Sequence, residues 1–435
     1  MAEPPVKIQN LHLIFYPPGI DIEFSKDGKN FHKLISLPSI TELTDIPSLA
    51  HKVITENHEF RPNHFEKVKY ALLKIQDMQL IDYSDYQVEH LHKTHTMPLL
   101  DCQFNKTGDR FVTSSYDRTA QVWDTETGEC LARFTGHSNA VYTCRFNLPV
   151  GDLVGTGSFD KNAGIWSIKE QSCLHMLNGH TKEVVAVAFD PQSTMFATGS
   201  MDFTARIWSV ETGEVLHVLS EHTKEILSVE FHPTEPLLLT SSFDQTARLW
   251  DCRTGECVAA FRGHKNQLCG ACFDSHGNHI VTGSFDQTAR IWDIRQALAL
   301  QVLRGHSGEV ISVAFSIDGT KVATCSTDKT ARVWNAATGK CISVCSGHTD
   351  EVGKVMFSPQ GNKVLTASDD YTCRLWNAES GECLQVLEGH TDFVLSCAFD
   401  YSGMRIITAS KDNSVRQWKA KKVTHNQNIL NNLRK

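Results

Sequence analysis

Serine, histidine and aspartate recur together along this 435-residue chain. Hydrolases build a nucleophile, a general base and its orienting carboxylate from that trio. In one stretch the set reads His264, Ser284 and Asp286, with Trp292 behind it. A hydrolase needs one positioned set beside an oxyanion hole, whereas this set returns eight times. Equivalent copies indicate a scaffold, because function lives in a site grafted on a fold. Other chemistry fares no better. Cys269 and Cys272 spell C-x-x-C, but residues three apart on a strand face opposite ways, against the pairing a zinc site needs. Asp369-Asp370 reads as one turn's variation, and there is no G-x-x-x-x-G-K-[ST] phosphate loop. Arg206, Arg248, Arg290, Arg332, Arg374 and Arg416 each stand two residues before a tryptophan. Such regularity serves the repeat, with pairing between neighbouring units as the expected role. No catalytic residue, cofactor or metal ion is expected.

The period fixes the elements that carry these residues. Trp123, Trp166, Trp208, Trp250, Trp292, Trp334, Trp376 and Trp418 are all the tryptophans of the chain, spaced 43 residues once and 42 six times. An aspartate stands six residues before each, and a serine two before that. A histidine opens every unit, from His95 to His390, with a phenylalanine nine residues later. Between His180 and Trp208 the pattern predicts strands over Val184–Phe189, Met195–Thr198 and Ala205–Trp208, and a fourth over Val215–Leu219. Ala205 and Ile207 are expected on the core side. Four short antiparallel strands per repeat are the signature of a propeller blade.

The G-H…W-D text of these units resembles WD40 repeats over residues 86–420. The resemblance implies an all-β fold, an eight-bladed propeller, carrying a small N-terminal α+β domain. It also implies that His264, Ser284, Asp286 and Trp292 and their counterparts form one hydrogen-bonded structural network, the Ser position being Ser or Thr in that family. Departures are mild: Thr94-His95 and Glu221-His222 replace G-H, and W-D survives at Trp123, Trp250 and Trp292. The last unit lacks the usual fourth-strand text. Residues 86–92 sit where a fourth strand belongs, so they are expected to complete the last blade and close the ring, which removes exposed edges. Residues 421–435 are left as a basic, polar tail.

Residues 1–85 carry none of the repeat text. Leu11, Leu13 and Phe15, then Ile20, Ile22 and Phe24, alternate with polar residues around Pro17-Pro18-Gly19, and Phe31–Leu37 follows a turn at Lys26–Lys29. That predicts a three-stranded meander. Helices are expected after Thr44-Asp45, with Leu49 and Val53 on one face, and after Pro62, with Phe65, Val68, Leu72 and Ile75. So small a module is expected to dock on its neighbour.

A net charge of -8 argues against nucleic acid as the main partner. Fourteen cysteines, several of them in phase, read as small apolar residues in a reducing compartment. The opening MAEPPVKIQNLHLIFYPPG lacks a charged segment followed by a long apolar run, and no stretch approaches membrane-spanning length. A cytoplasmic monomer is the expectation, with protein partners and neither membrane nor nucleic acid.

Function belongs where the repeats differ. Just before the turn aspartate stand Tyr116, Phe159, Met201, Phe243 and Phe285, then Thr327, Asp369 and Lys411. In WD40 proteins this position lies on the face around the channel mouth. Five large apolar residues in adjacent blades form an arc of the composition found in interface cores. The alternative is that they tuck under neighbouring loops. Tyr16-Pro17-Pro18-Gly19-Ile20, the meander, two helices and eight units together resemble the WD-repeat dynein assembly factors. That resemblance implies a non-enzymatic adaptor in cilia and flagella and at the basal body. It would link the preassembled outer-arm dynein complex to an intraflagellar transport subunit, with Tyr16, Pro17 and Pro18 as further candidates for partner contact. A site spanning the small domain and the propeller is the companion expectation. A competing reading comes from Trp250-Asp251-Cys252-Arg253 and Trp292-Asp293-Ile294-Arg295, similar to the W-D-x-R box of substrate receptors of cullin-RING ubiquitin ligases.

Overall fold

The structure, a computed structural model, describes residues 7–14, 19–26, 29–37, 40, 44–57, 59–80 and 85–421. It divides into two compact units, one of residues 1–83 with 421–435 and one of residues 84–420.

In the first unit, period-two alternation gives the strands β1 (Lys7–Ile14), β2 (Gly19–Lys26) and β3 (Lys29–Ser36), paired antiparallel in that order. Ile20 and Ile22 on β2 and Ile35 on β3 are buried. Helix α1 (Ile46–Glu56) starts where the sequence supplies a cap: the Asp45 carboxylate accepts from Ser48 N, and Pro47 lies in the first turn. Its Ala50 and Val53 meet Val68, Leu72 and Ile75 of α2 (Phe65–Leu80) in a core shared with β2 and β3. The segment holding Tyr16, Pro17 and Pro18 lies outside the described residues, as do residues 422–435.

The second unit is eight four-stranded antiparallel sheets, and its core lies between the sheets. Each is apolar on both faces. The tryptophan of blade four, Trp250, packs with Ala197, Ala205 and Ile207 of blade three, and Trp376 of blade seven packs with Ala323, Ala331 and Val333 of blade six. A blade therefore has no core of its own, and stacking neighbours makes one. First strands of successive blades adjoin around the axis, that of blade eight (Val394–Phe399) meeting that of blade one (Leu99–Phe104).

The strand β4 (Tyr86–His92) forms the outer edge of blade eight, pairing with Val415–Ala420 from Val415↔His92 to Ala420↔Tyr86. Side chains lock this seam. Glu89 accepts from Arg405 Nε at 2.9 Å, Lys419 Nζ at 2.6 Å and Gln417 Nε2 at 2.8 Å. The Tyr86 hydroxyl donates to Gly403 O at 2.6 Å. The ring is thus closed by strands from its two chain ends, and Leu99 and Trp123 of blade one share a core with Ile407 and Val415 of blade eight.

Candidate protein-docking site

One constellation holds every loop of the face where chain enters the first strands. In blade five, His264 Nδ1 lies 2.8 Å from Asp286 Oδ2 and Nε2 lies 2.8 Å from Thr282 Oγ1, while Trp292 Nε1 donates to the same hydroxyl at 2.9 Å. The donors fix the direction of the chain. Trp292 N–H gives to Thr282, whose own proton goes to His264 Nε2, and His264 Nδ1–H gives to Asp286. In this arrangement the His264 ring is neutral, and burial acts in the same sense, lowering its pKa against the Asp286 bond and charge, which act to raise it. Burial alone would raise Asp286, but bonds from His264 and Thr288 and from Lys265 N prevail and hold it well below the usual carboxylate range. The hydroxyl shared by His and Trp is a threonine in all eight blades, from Thr113 to Thr408. Ser284 is attached one step away: it accepts from Asp286 N at 3.1 Å and donates to Asn266 O at 3.0 Å. Both nitrogens of His264 are thus occupied, and Ser284 Oγ has no bond to it. The trio that could do hydrolysis is wired to hold a loop.

The arginines also serve the blade, though not by bridging to a neighbour. Arg290 lies with its guanidinium carbon 5.8 Å from the Trp292 ring centre, on its own strand. A Cβ on Gly263 would stand 2.8 Å from Arg290 Nη1, so the loop comes this close because glycine is there. Where glycine is missing the partner changes with it. Glu221 makes an ion pair with Arg248, and Thr94 donates to Gln121, which stands where six of the blades have arginine.

Each residue before the turn aspartate is positioned by one backbone bond. Tyr116, Phe159, Met201, Phe243 and Phe285 donate N–H at 2.9 Å to Pro98, Ala140, Glu183, Glu225 and Gln267, each immediately ahead of a first strand. Thr327, Asp369 and Lys411 do the same to Glu309, Glu351 and Phe393 at 2.8–3.0 Å. The residue after the aspartate takes a left-handed conformation, as at Gln287 with φ 67°. The side chains are half-buried rather than covered, and Tyr116 is 38% exposed. They form two groups. Tyr116 meets Phe159 edge-on at 6.4 Å, and Phe243 and Phe285 lie 6.0 Å apart, with Met201 in the blade between. Tyr142 was not among the residues singled out from sequence. It occupies the bulge of the first strand of blade two, where the register skips between Val141 and Thr143, and stacks on Phe159 at 5.3 Å while 39% exposed. The signal was present: an aromatic at a position filled by Leu, Val, Ile, Cys or Gly in the other blades.

At the other end of the first strands a cavity of about 610 Å³ is lined by blades one to five, Leu148, Pro191 and Pro233 included, and by Lys354 of blade seven. Its charged groups are partly spent on the ring. Arg145 pairs with Asp101, which also accepts from Ser396 Oγ across the closure. Burial pushes Glu230 up to about 8, against a bond from Phe273 N of the next blade and the charge of Arg145. Burial, then Glu309, also raises the Cys269 thiol to about 12, and Cys272 Sγ lies 3.8 Å from Val313 O. No cluster of three potential metal ligands occurs among the described residues. Of the two W-D-x-R boxes, Arg253 is exposed and bonded to Asp251 at 2.8 and 3.1 Å.

The sequence matches the family described as WD domain, G-beta repeat, over residues 87–124, 128–167, 171–209, 213–251, 255–293, 298–335, 339–377 and 381–419. The first match begins inside β4, so each sequence repeat takes its opening strand from the blade before. The chain is 45% identical over 191 residues to zebrafish "Dynein assembly factor with WD repeat domains 1", and over 192 residues to its human namesake. Those alignments cover 44% of this chain and 46% of each relative. A shorter stretch of 65 residues is 37% identical to mouse "Pre-mRNA-processing factor 17", 15% of this chain and 11% of that one. Among solved structures, the crystal structure of the computationally designed Ika8 protein superposes with a TM-score of 0.67 at 26% identity, over 75% of this chain and 97% of that one. With eight repeats matched, eight sheets closed in a ring and one polar network per sheet, this chain belongs to the WD40 repeat family.

Proposed function

We propose that this protein is a non-enzymatic adaptor of dynein assembly. It joins the preassembled outer-arm axonemal dynein complex to an intraflagellar transport subunit for delivery from the cytoplasm and basal body into the cilium or flagellum. The observation that carries the reading is the identity of 45% to dynein assembly factors, on a propeller whose recurring polar residues are committed to structure. The arc of Tyr116, Phe159, Met201, Phe243 and Phe285 is the docking face in this reading, since clustered, half-exposed aromatics and methionine mark interface cores. A single polar substitution there tests it. Phe243→Asp places a charge on the half-buried surface without touching the Thr240, Asp244 or Trp250 bonds. The variant is expected to keep the fold by circular dichroism, yet to lose dynein and transport-train subunits on co-purification from ciliated cells. Unchanged recovery of those subunits would refute the docking role. Recovery of cullin subunits in their place would favour the substrate-receptor reading based on Arg253 and Arg295.

A further inference from the structure

The apolar arc does not continue around its face. In the next two blades carboxylates dominate: Glu309 ahead of the first strand of blade six, Asp350 and Glu351 ahead of that of blade seven, and Asp369 in the adjoining turn, whereas Glu183 and Glu225 at the same place in blades three and four each follow a lysine, Lys182 and Lys224. The backbone binds the turns to these loops, with Thr327 N to Glu309 O and Asp369 N to Glu351 O both at 3.0 Å. Glu351 is exposed and the other three are half-buried. Among the described residues, none of the four forms an ion pair with lysine or arginine. The nearby cations are turned to other work. Lys411 Nζ lies 4.9 Å over the Phe393 ring, and Lys329 Nζ donates to Thr349 O at 2.7 Å. The crowding is visible at Asp369: its pKa is raised, first by burial and then by Glu351, Asp350 and Asp370, with only Lys411 opposing. A cation arriving from outside would relieve that repulsion.

We propose that this face takes a partner's peptide segment with an apolar or aromatic half and a basic half. The apolar half sits on the arc of blades one to five, and its Lys or Arg side chains meet Glu309, Asp350, Glu351 and Asp369. Apolar contact gives affinity without direction, whereas unlike charge fixes which way the segment lies and speeds its encounter. This rests on the arc being the docking face and adds the chemistry of what docks.

The probe is a library of random twelve-residue peptides displayed on phage and selected against the full chain. Enriched sequences are expected to join aromatic or aliphatic residues to Lys or Arg. An enriched peptide, synthesised with a fluorescent label, should bind about tenfold more weakly to the triple variant Asp350→Asn, Glu351→Gln, Asp369→Asn, and lose affinity as salt rises. None of the three residues belongs to the structural network, and Asp370, which does, is untouched. Enrichment of neutral or acidic peptides, equal binding by the triple variant, or no enrichment at all would overturn the inference. If selected peptides bind Phe243→Asp as tightly as the wild type, the arc itself is not the docking face and the reading beneath falls with it.

Discussion

Replacing Thr282 by valine removes one oxygen and almost no volume, which makes it a sharp probe of how a blade is held. Thr282 is fully buried. Its hydroxyl receives Trp292 Nε1–H at 2.9 Å and lies 2.8 Å from His264 Nε2. Valine leaves the indole N–H and the imidazole lone pair facing a methyl group in a site closed to water. Each buried group left unsatisfied costs about 1–3 kcal/mol, so the substitution is expected to cost about 3–4 kcal/mol. Thr282→Ser keeps the oxygen and loses one methyl group, for about 1 kcal/mol. Ser284→Ala leaves the threonine-centred chain intact and should cost about 1 kcal/mol. For a unit of this size the entropy of unfolding is about 0.7 kcal/mol/K, so thermal melts should fall by about 5 °C for Thr282→Val and about 1–2 °C for the other two. If Thr282→Val melts no lower than Ser284→Ala, the shared hydroxyl is not what ties His264 to Trp292, and the direction assigned to the chain is wrong.

Two further outcomes follow from the closure and the core. Burial would raise the Glu89 pKa, but bonds from Arg405, Lys419 and Gln417 bring it down to about 2. A carboxylate lowered on folding stabilises above its unfolded value of 4.5, and that stabilisation fades as pH falls through about 2. The full shift would correspond to about 3 kcal/mol. Lys419 is 42% exposed, and solvent screening there brings the expectation to about 1–2 kcal/mol. Glu89→Gln should therefore melt below the wild type at neutral pH, the gap closing between pH 4.5 and 2; a gap independent of pH would remove the charge from the account of the seam. Trp250→Ala, at a site 1% exposed, should cost about 3–5 kcal/mol by emptying the core between blades three and four, and a melt within 2 °C of wild type would contradict that packing.

How much was legible in the sequence depended on whether a residue's role repeats. The tryptophan, histidine and aspartate positions are visible without an alignment because eight copies of one blade are an alignment of the chain with itself. Thr282 is equally in phase, ten residues before Trp292, whereas the resemblance implied Ser284 for the network. Period and type cannot say which of two hydroxyls on a strand points at a histidine; that follows from the pleat, on which residues two apart share a face yet lie nearly 7 Å apart. The role of the arginines was misjudged for a related reason. A charge in six of the eight units suggests a bond to the next unit, whereas the guanidinium groups of Arg206, Arg290 and Arg374 lie over the indoles of their own strands, where cation and ring attract. Glu89 was beyond reach from text alone, since its partners Arg405, Lys419 and Gln417 are more than 300 positions away in the chain and only ring closure brings them together.

The same contrast locates function. A residue that recurs from blade to blade answers a need of the blade, and its bonds are found within the blade: His264 to Thr282 and Asp286 in a set present eight times, and Arg290 over Trp292 at a position that is arginine in six blades. The positions left over are those where the backbone bond is kept while the side chain is free to vary, as at Tyr116, Phe243, Asp369 and Lys411, whose N–H groups all reach the loop ahead of the first strand. Stability is thereby uncoupled from recognition, because the main chain holds the turn whichever side chain it carries. Variation at such a position costs the fold little, so its chemistry can be set by what docks there. The grouping of aromatic and apolar residues before the turn aspartate in blades one to five, with carboxylates unaccompanied by a neighbouring lysine in blades six and seven, is a sequence pattern that blade packing does not require. A symmetric scaffold gains an orientation from such a pattern, and a segment that binds across it meets apolar surface on one side and negative charge on the other.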